Sequence, residues 1–141
     1  MATDTRIGLY ICTGCDIGSS LDIDKMEQLA TGSLQVPVCK KHAELCSPEG
    51  VKLIRDDIAN DNITGVAIAA CSHRVKTDVF SFDSSLLLDR INLREQVVWT
   101  HPANDEETQS LAEDYIRMGC AKLKTIKKPE AYDAETSKKI L

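Results

Sequence analysis

Apolar and polar positions alternate along the chain in blocks that predict strands separated by helices. Two nearly continuous apolar runs, RIGLYIC at 6–12 and ITGVAIAACS at 63–72, are typical of parallel strands that are covered on both faces. LQVPVC at 34–39 predicts a weaker strand, and Pro37 places it at a sheet edge because proline cannot donate to a strand ladder. REQVVWTHP at 94–102 is then the predicted fourth strand.

Helix signals lie between these strands. LDIDKMEQLATG at 21–32 has a capping residue in Asp22 and a closing glycine. CSPEGVKLIRDDIANDN at 46–62 begins with Ser47 as the N-cap, followed by proline at the first helical position. TDVFSFDSSLLLDRIN at 77–92 predicts a partly helical segment, which would supply the third crossover between strands.

The longest predicted helix is DEETQSLAEDYIRMGCAKLKTI at 105–126, with acidic residues in its first turn and basic residues in its last. Leu111, Tyr115 and Met118 form its predicted apolar face. The resulting order β-α-β-α-β-α-β-α predicts an α/β fold of three layers. A mostly parallel four-stranded sheet would carry helices on both faces, in a Rossmann-like or flavodoxin-like arrangement.

Composition places this chain among ordinary globular domains. Its 141 residues are 43% hydrophobic and 28% charged, and the net charge of -5 comes with no basic stripe, which argues against a nucleic-acid partner. No apolar run reaches the roughly 20 residues that span a bilayer, so direct membrane insertion is not expected. The opening MATDTRIG has no basic or apolar signal region, so we predict a cytoplasmic protein.

Six cysteines are many for a chain without an export signal, and in a reducing compartment clustered cysteines bind metal or carry out redox chemistry. Cys12 and Cys71 end the first and third predicted strands, Cys46 precedes a helix N-terminus, and Cys15 completes a CxxC motif. The carboxyl ends of parallel strands meet at one sheet edge, where ligands bind if strand order reverses there. We therefore expect these four thiols to converge.

The CxxC motif alone suits thiol–disulfide exchange, zinc or an iron–sulfur cluster. Dithiol catalysis favours a CxxC at a helix N-terminus, whereas the first predicted helix starts later. Structural zinc usually takes two tight pairs, and a second pair is missing, so dispersed thiols favour an iron–sulfur cluster. Cys39 stays open as ligand, exchange thiol or strand residue, Cys120 is expected to be structural, and His73 is the best histidine candidate among three.

The segments YICTGCDIG, VPVCKKHAELCSPEGVKLI, IAACSHRVKTDVF and INLREQVVWTHPANDEETQSLAEDYIRMG together resemble a known family. They are similar to the N-terminal domain of heterodisulfide reductase A-like iron–sulfur flavoproteins. The versions in quinone-interacting membrane-bound oxidoreductase and in sulfur-oxidation heterodisulfide reductase-like complexes look most similar. Where archaeal members resemble REQC, this chain has Val97, which removes one thiol, and His73 replaces a proline.

The resemblance implies an electron-transfer part of an oxidoreductase, without a catalytic residue of its own in this chain. It implies a [4Fe–4S] cluster, for which we choose Cys12, Cys15, Cys46 and Cys71 as ligands, with Cys39 in reserve. Residues 1–127 would form the iron–sulfur-binding domain. Residues 128–141 would be a linker and the start of a truncated FAD-binding domain, so FAD would bind only in the missing downstream domain.

The implied partners are that FAD domain and the other subunits of a heterodisulfide reductase-like or quinone-interacting complex, which would place the protein in the cytoplasm or at the periphery of a membrane complex. Two other functions remain open at this stage. The chain could be a docking module that binds zinc or no metal, or a thiol or sulfur-transfer protein that uses Cys39 or Cys15.

Overall fold

A sheet of four parallel strands forms the centre of the protein, and the computed structural model describes residues 4–139. The strands are β1 (Ile7–Cys12), β2 (Val38–His42), β3 (Gly65–Ala70) and β4 (Leu87–Asn92), in the spatial order β2-β1-β3-β4. All pairs are parallel, and β1 and β3 are buried along their whole length. Since β1 and β3 are neighbours although β2 lies between them in sequence, strand order reverses at this pair, which is the condition for a ligand site at this edge.

Helices cover both faces of this sheet. Ser47 and Asp22 cap helices as predicted, because their side chains accept hydrogen bonds from the backbone N–H groups of Gly50 and Lys25. The helical segments in residues 4–139 are α1 (Ile17–Ser20), α2 (Ile23–Gln28), a π-helical turn (Leu29–Ser33), α3 (Pro48–Asn60), a second π-helical turn (Arg94–Val98) and α4 (Glu106–Thr125).

Neighbouring residues of β2 show which helix covers which face, because successive strand side chains point to opposite sides. Lys40 Nζ contacts Asp57 of α3, whereas Lys41 Nζ contacts Asp24 and Glu27 of the α2 helix. The α4 helix lies on the α2 side, where Lys122 pairs with Asp89 of β4. The predicted three-layer α/β fold is therefore confirmed.

The fourth strand was predicted in the wrong place. Residues 87–92, assigned to a helix from sequence, form β4, and residues 94–98, assigned to the strand, form a π-helical turn. This edge strand accommodates polar residues because both of them have partners. Asp89 is paired with Lys122, and Arg90 stacks on Phe80. The connection from 71 to 86 contains turns and no helix.

Two finer predictions also need correction. The apolar face of α4 is rotated from the predicted one, because Met118 is 57% exposed while Ala112, Ile116 and Gly119 are buried. At Gly119 the helix lies so close to β4 that an added Cβ would be 2.4 Å from Ile91 Cδ1. Strand β2 begins at Val38, so Cys39 lies near its start and not at its end.

A buried polar contact joins β1 to α3. The Tyr10 hydroxyl donates to Asp57 Oδ2 at 3.1 Å, and Lys40 Nζ donates to Asp57 Oδ1 at 2.6 Å. Tyr10 is fully buried, and burial followed by the Asp57 charge raises the pKa of its hydroxyl above the ordinary value. The hydroxyl therefore remains a hydrogen-bond donor, and the contact fixes α3 against the sheet.

We expect Tyr10→Phe to lower the free energy of unfolding by about 1–2 kcal/mol, because Asp57 then loses one buried donor. Chemical denaturation followed by circular dichroism measures this change. Tyr132→Phe is the matched control, since Tyr132 is 91% exposed, and its effect should stay within about 0.5 kcal/mol. Equal stability of the two variants would contradict a stabilising role for the Tyr10–Asp57 contact.

The chain after α4 has no regular secondary structure as far as residue 139. The predicted division into 1–127 and 128–141 agrees with the end of α4 at Thr125 but stays a prediction, and Ile140 and Leu141 lie outside the described residues. In the described part of the chain, every helix is too short or too polar to cross a membrane.

Candidate metal centre

One cavity at the carboxyl edge of the sheet is lined by four of the six cysteines. Cys12, Cys15, Cys46 and Cys71 surround a space of about 150 Å³. These are the four thiols that the sequence predicted to converge. The other lining residues are mainly apolar, with two cations among them: Ile17, Leu45, Ala70, Val75, Lys76, Phe80 and Arg94.

The switch in strand order explains why distant cysteines meet. Cys12 is the last residue of β1, Cys71 directly follows β3, and these two strands are hydrogen-bonded neighbours. Cys46 lies in the turn between β2 and α3, directly before the Ser47 cap. Cys12 and Cys71 are 8% and 9% exposed, whereas Cys15 is exposed. The cavity therefore reaches from the buried end of the sheet to the surface.

The turn that carries Cys15 is unusual in its backbone. Cys15 and Asp16 are consecutive non-glycine residues in the left-handed region, with φ values of 51° and 67°. The α1 helix begins directly afterwards at Ile17, earlier than the sequence predicted. Backbone hydrogen bonds from Thr13 N to His42 O and from Gly18 N to Thr13 O hold this turn against the end of β2.

The connection after β3 is organised by one arginine side chain. Arg90 of β4 donates through Nη2 to the Cys71 and Ser72 carbonyls and through Nη1 to the Val75 carbonyl, at 3.1–3.2 Å. Its Nη2 also lies 3.1 Å from Cys71 Sγ, and the guanidinium stacks on Phe80 at 4.4 Å. The Arg90 guanidinium therefore orders the loop after Cys71, where the sequence predicted a partly helical segment.

A second arginine contacts another of the cavity thiols. Arg94 Nη1 lies 3.5 Å from Cys15 Sγ, and Arg94 Nη2 pairs with Glu95 Oε1 at 2.7 Å. Glu95 Oε2 accepts a hydrogen bond from Ser72 N at 2.8 Å, so Arg94 and Glu95 together connect the Cys15 turn with the Cys71 loop. Neither arginine was predicted to have a role from sequence, because their closeness to sulfur depends on where β4 lies.

Burial and charge oppose each other at Cys71. Burial raises the pKa of this thiol above its ordinary value, and the guanidinium groups of Arg90 and Arg94 counteract the rise. Elsewhere, burial raises the pKa of Cys39 to about 12 and that of Cys120 to about 11. Thiolate formation is therefore disfavoured at the two cysteines outside the cavity.

Cys39 and Cys120 are not brought to the cavity. Cys39 stands in register with Leu9, on the face that α2 and α4 cover, and Cys120 is buried within α4. His73 lines a different cavity, beside Asp89 and Lys122, so it does not join the cysteines. None of the six cysteines forms a disulfide.

The four cavity thiols do not meet at a point. Among residues 4–139, no three His, Cys, Asp or Glu side chains are placed to hold one metal ion. The four cysteines line one cavity, and an all-thiol set of this kind is selective for soft metal centres such as iron–sulfur clusters or zinc. Ligand assignment to these residues remains a prediction.

Comparison with known proteins gives relatives over nearly the whole chain, although no family model matches it. The chain is 32% identical to the ferredoxin:CoB-CoM heterodisulfide reductase A subunit of Methanosarcina mazei, over 96% of this chain and 18% of that protein. It is also 32% identical to the H(2):CoB-CoM heterodisulfide,ferredoxin reductase A subunit of Methanothermobacter thermautotrophicus, over 98% of this chain and 22% of that protein.

A third relative is the second of two CoB–CoM heterodisulfide reductase iron-sulfur A subunits of Methanopyrus kandleri, 26% identical over 98% of this chain and 22% of that protein. The chain therefore spans about a fifth of the length of the curated relatives it matches. The predicted resemblance is confirmed at the level of this one region.

Proposed function

Because this chain is related over nearly its whole length to one region of the heterodisulfide reductase A subunits, we propose that it is an iron–sulfur electron-transfer domain. The observation that carries this proposal is the cavity lined by Cys12, Cys15, Cys46 and Cys71. We assign these four thiols as ligands of a [4Fe–4S] cluster, and Cys39 is dropped because it lies on the other face of the sheet.

The residues present fit such a group. Cluster ligation uses four thiolates, and the cavity offers four cysteines, with no carboxylate among the described residues that line it. Four cysteines from three separate segments, without a second tight pair beside the CxxC motif, favour an iron–sulfur cluster over structural zinc. Dithiol chemistry at the CxxC motif would use only two of these thiols and would leave Cys46 and Cys71 without a role.

When bound, the cluster supplies reversible one-electron chemistry. The chain's own residues determine how that chemistry is used. Ile17, Leu45 and Phe80 keep water from the inner wall of the cavity, and the exposed side of Cys15 gives electrons a short path to the surface. We place no catalytic residue in this chain, since bond-making steps would occur elsewhere.

Our proposal extends to a longer protein in which a flavin in an FAD-binding domain exchanges single electrons with this domain. The relative from Methanopyrus is named as an iron–sulfur protein, and the relatives are components of reductase complexes. Partner subunits of a heterodisulfide reductase-like complex are therefore the proposed electron donors or acceptors, in the cytoplasm or beside a membrane complex.

Iron and acid-labile sulfide analysis of anaerobically prepared protein tests this proposal. We expect iron and sulfide in the wild type and an electron paramagnetic resonance signal after reduction. Serine substitutions at Cys12, Cys15, Cys46 and Cys71 should each lower bound iron about tenfold or more, because losing a ligand costs at least as much affinity as losing a residue that only supports one.

Cys39→Ser and Cys120→Ser are the matched controls, because both cysteines lie outside the cavity and should leave the iron content at the wild-type level. Circular dichroism confirms that each variant is folded. Iron-free wild-type protein, or equal iron loss in the controls, would refute the ligand assignment. One zinc per chain without iron would instead support a docking module, and a trapped persulfide would support sulfur transfer.

A further inference from the structure

Arg90 is a half-buried cation without an ion-pair partner among the described residues. No carboxylate in that part of the chain lies within 4 Å of its guanidinium, and Glu95 acts on it only at longer range. Burial lowers the pKa of this guanidinium, which nevertheless stays charged because free arginine titrates far above neutral pH. A buried charge is costly unless it is paired, so Arg90 needs a counterion.

Among residues 4–139, the ionisable atom in direct contact with Arg90 is a sulfur. Its Nη2 lies 3.1 Å from Cys71 Sγ, and the remaining contacts are to neutral backbone carbonyls. Phe80 stacks on the guanidinium at 4.4 Å and limits its rotation. The cation is thus held against the sulfur of a cysteine that lines the cavity.

Arg94 differs in its electrostatic surroundings. Glu95 Oε1 accepts hydrogen bonds from both Nε and Nη2 of Arg94, at 3.0 and 2.7 Å, so a carboxylate neutralises this guanidinium directly. The contact from Arg94 to Cys15 Sγ is also longer, at 3.5 Å. Both arginines therefore touch cavity thiols, and of these two Arg90 is the one whose charge is uncompensated.

We propose that Arg90 is the built-in counterion of the centre in the cysteine cavity and sets its reduction potential, whereas Arg94 positions Cys15. This inference rests on the proposed iron–sulfur function. One-electron reduction adds one negative charge to a centre that thiolate ligands already make anionic. Arg90 stabilises that added charge without a proton transfer, because the guanidinium is charged in both oxidation states.

A redox titration of the anaerobic protein, followed by electron paramagnetic resonance, tests this division of roles. Arg90→Gln should lower the equilibrium constant for one-electron reduction about tenfold, which is about 59 mV, since a neutral amide replaces the cation. Arg94→Gln should shift the midpoint much less and instead speed the loss of iron to a chelator, because Cys15 loses its contact.

Arg117→Gln is the matched control, since Arg117 pairs with Glu113 and Asp114 on α4 and should leave the midpoint unchanged. Arg90→Lys keeps the positive charge, so its midpoint should lie closer to that of the wild type than to that of Arg90→Gln. Glu95→Gln is the second test, because it removes the one carboxylate known to act on the Arg90 charge at longer range as well as the partner of Arg94. The midpoint should rise in this variant, which gives a readout even if Arg90→Gln does not fold.

Iron-loaded Arg90→Gln with the midpoint of Arg117→Gln would overturn the counterion role and leave the proposed function intact. A Glu95→Gln midpoint at or below the wild-type value would show that charge beside Arg90 does not reach the centre, and it would also overturn the counterion role. Iron-free wild-type protein would overturn both proposals together, so the two failures can be told apart.

Discussion

Gly14→Ala is expected to disrupt the turn between Cys12 and Cys15 and to remove most of the bound iron. A Cβ at this position would lie 2.3 Å from the carbonyl oxygen of Ala43, which is far inside contact distance. Because the blocking atom belongs to the backbone and not to a flexible side chain, the turn must move away from the end of β2 to make room for the methyl group. We expect the free energy of unfolding to fall by about 2–3 kcal/mol.

The measurement pairs chemical denaturation with iron analysis of the anaerobic protein. Gly32→Ala is the matched control because no atom lies within 4 Å of its added Cβ, and its stability should stay within about 1 kcal/mol of the wild type. If Gly14→Ala retained wild-type iron and stability, the close approach of the cysteine turn to Ala43 would not support the cavity.

Gly50→Ala is expected to have an effect of similar size through the neighbouring cysteine. Its Cβ would lie 2.5 Å from the carbonyl oxygens of Glu44 and Leu45 and 2.6 Å from Leu45 Cα. The turn that carries Cys46 packs directly on the first turn of α3, so any side chain must push that turn away. We expect a loss of about 3 kcal/mol and lower iron content.

A destabilised variant that leaves the cavity alone separates site displacement from general instability. Gly119→Ala places a Cβ 2.4 Å from Ile91 Cδ1, between α4 and β4, and Gly119 is not part of the cavity lining. It should lower stability yet keep wild-type iron per folded protein. Equal iron in the folded fractions of Gly50→Ala and Gly119→Ala would argue against a special role for Gly50.

The sequence predicted the buried strands and the capped helices well because each carries a local signal. β1 and β3 are apolar throughout, and Ser47 and Asp22 are strong caps. β4 carries no such signal, since its buried Asp89 is paired with Lys122 of a distant helix. Residues 94–102 were wrongly predicted as a strand because they include a short apolar stretch. In the structure Val97 of this stretch is buried within a tight π-helical turn.

The candidate site was predictable only in part. Strand ends and a helix start bring Cys12, Cys71 and Cys46 together, and parallel topology is sufficient to expect this. The arginines were not predictable, because Arg90 reaches Cys71 only once residues 87–92 form the edge strand. The position of Cys39 was not predictable for a similar reason. Strand β2 begins only after Pro37, at Val38, so Cys39 lies near the start of the strand.

The wide sequence separation of the cavity cysteines has a thermodynamic consequence. Cys12 and Cys71 are separated by nearly half of the chain but line one space. An inorganic centre bonded to both would act as a cross-link and would close a long loop in the unfolded chain. Such closure removes entropy from the unfolded state, so the same bonds that carry electrons would also restrain unfolding, as a disulfide does in secreted proteins.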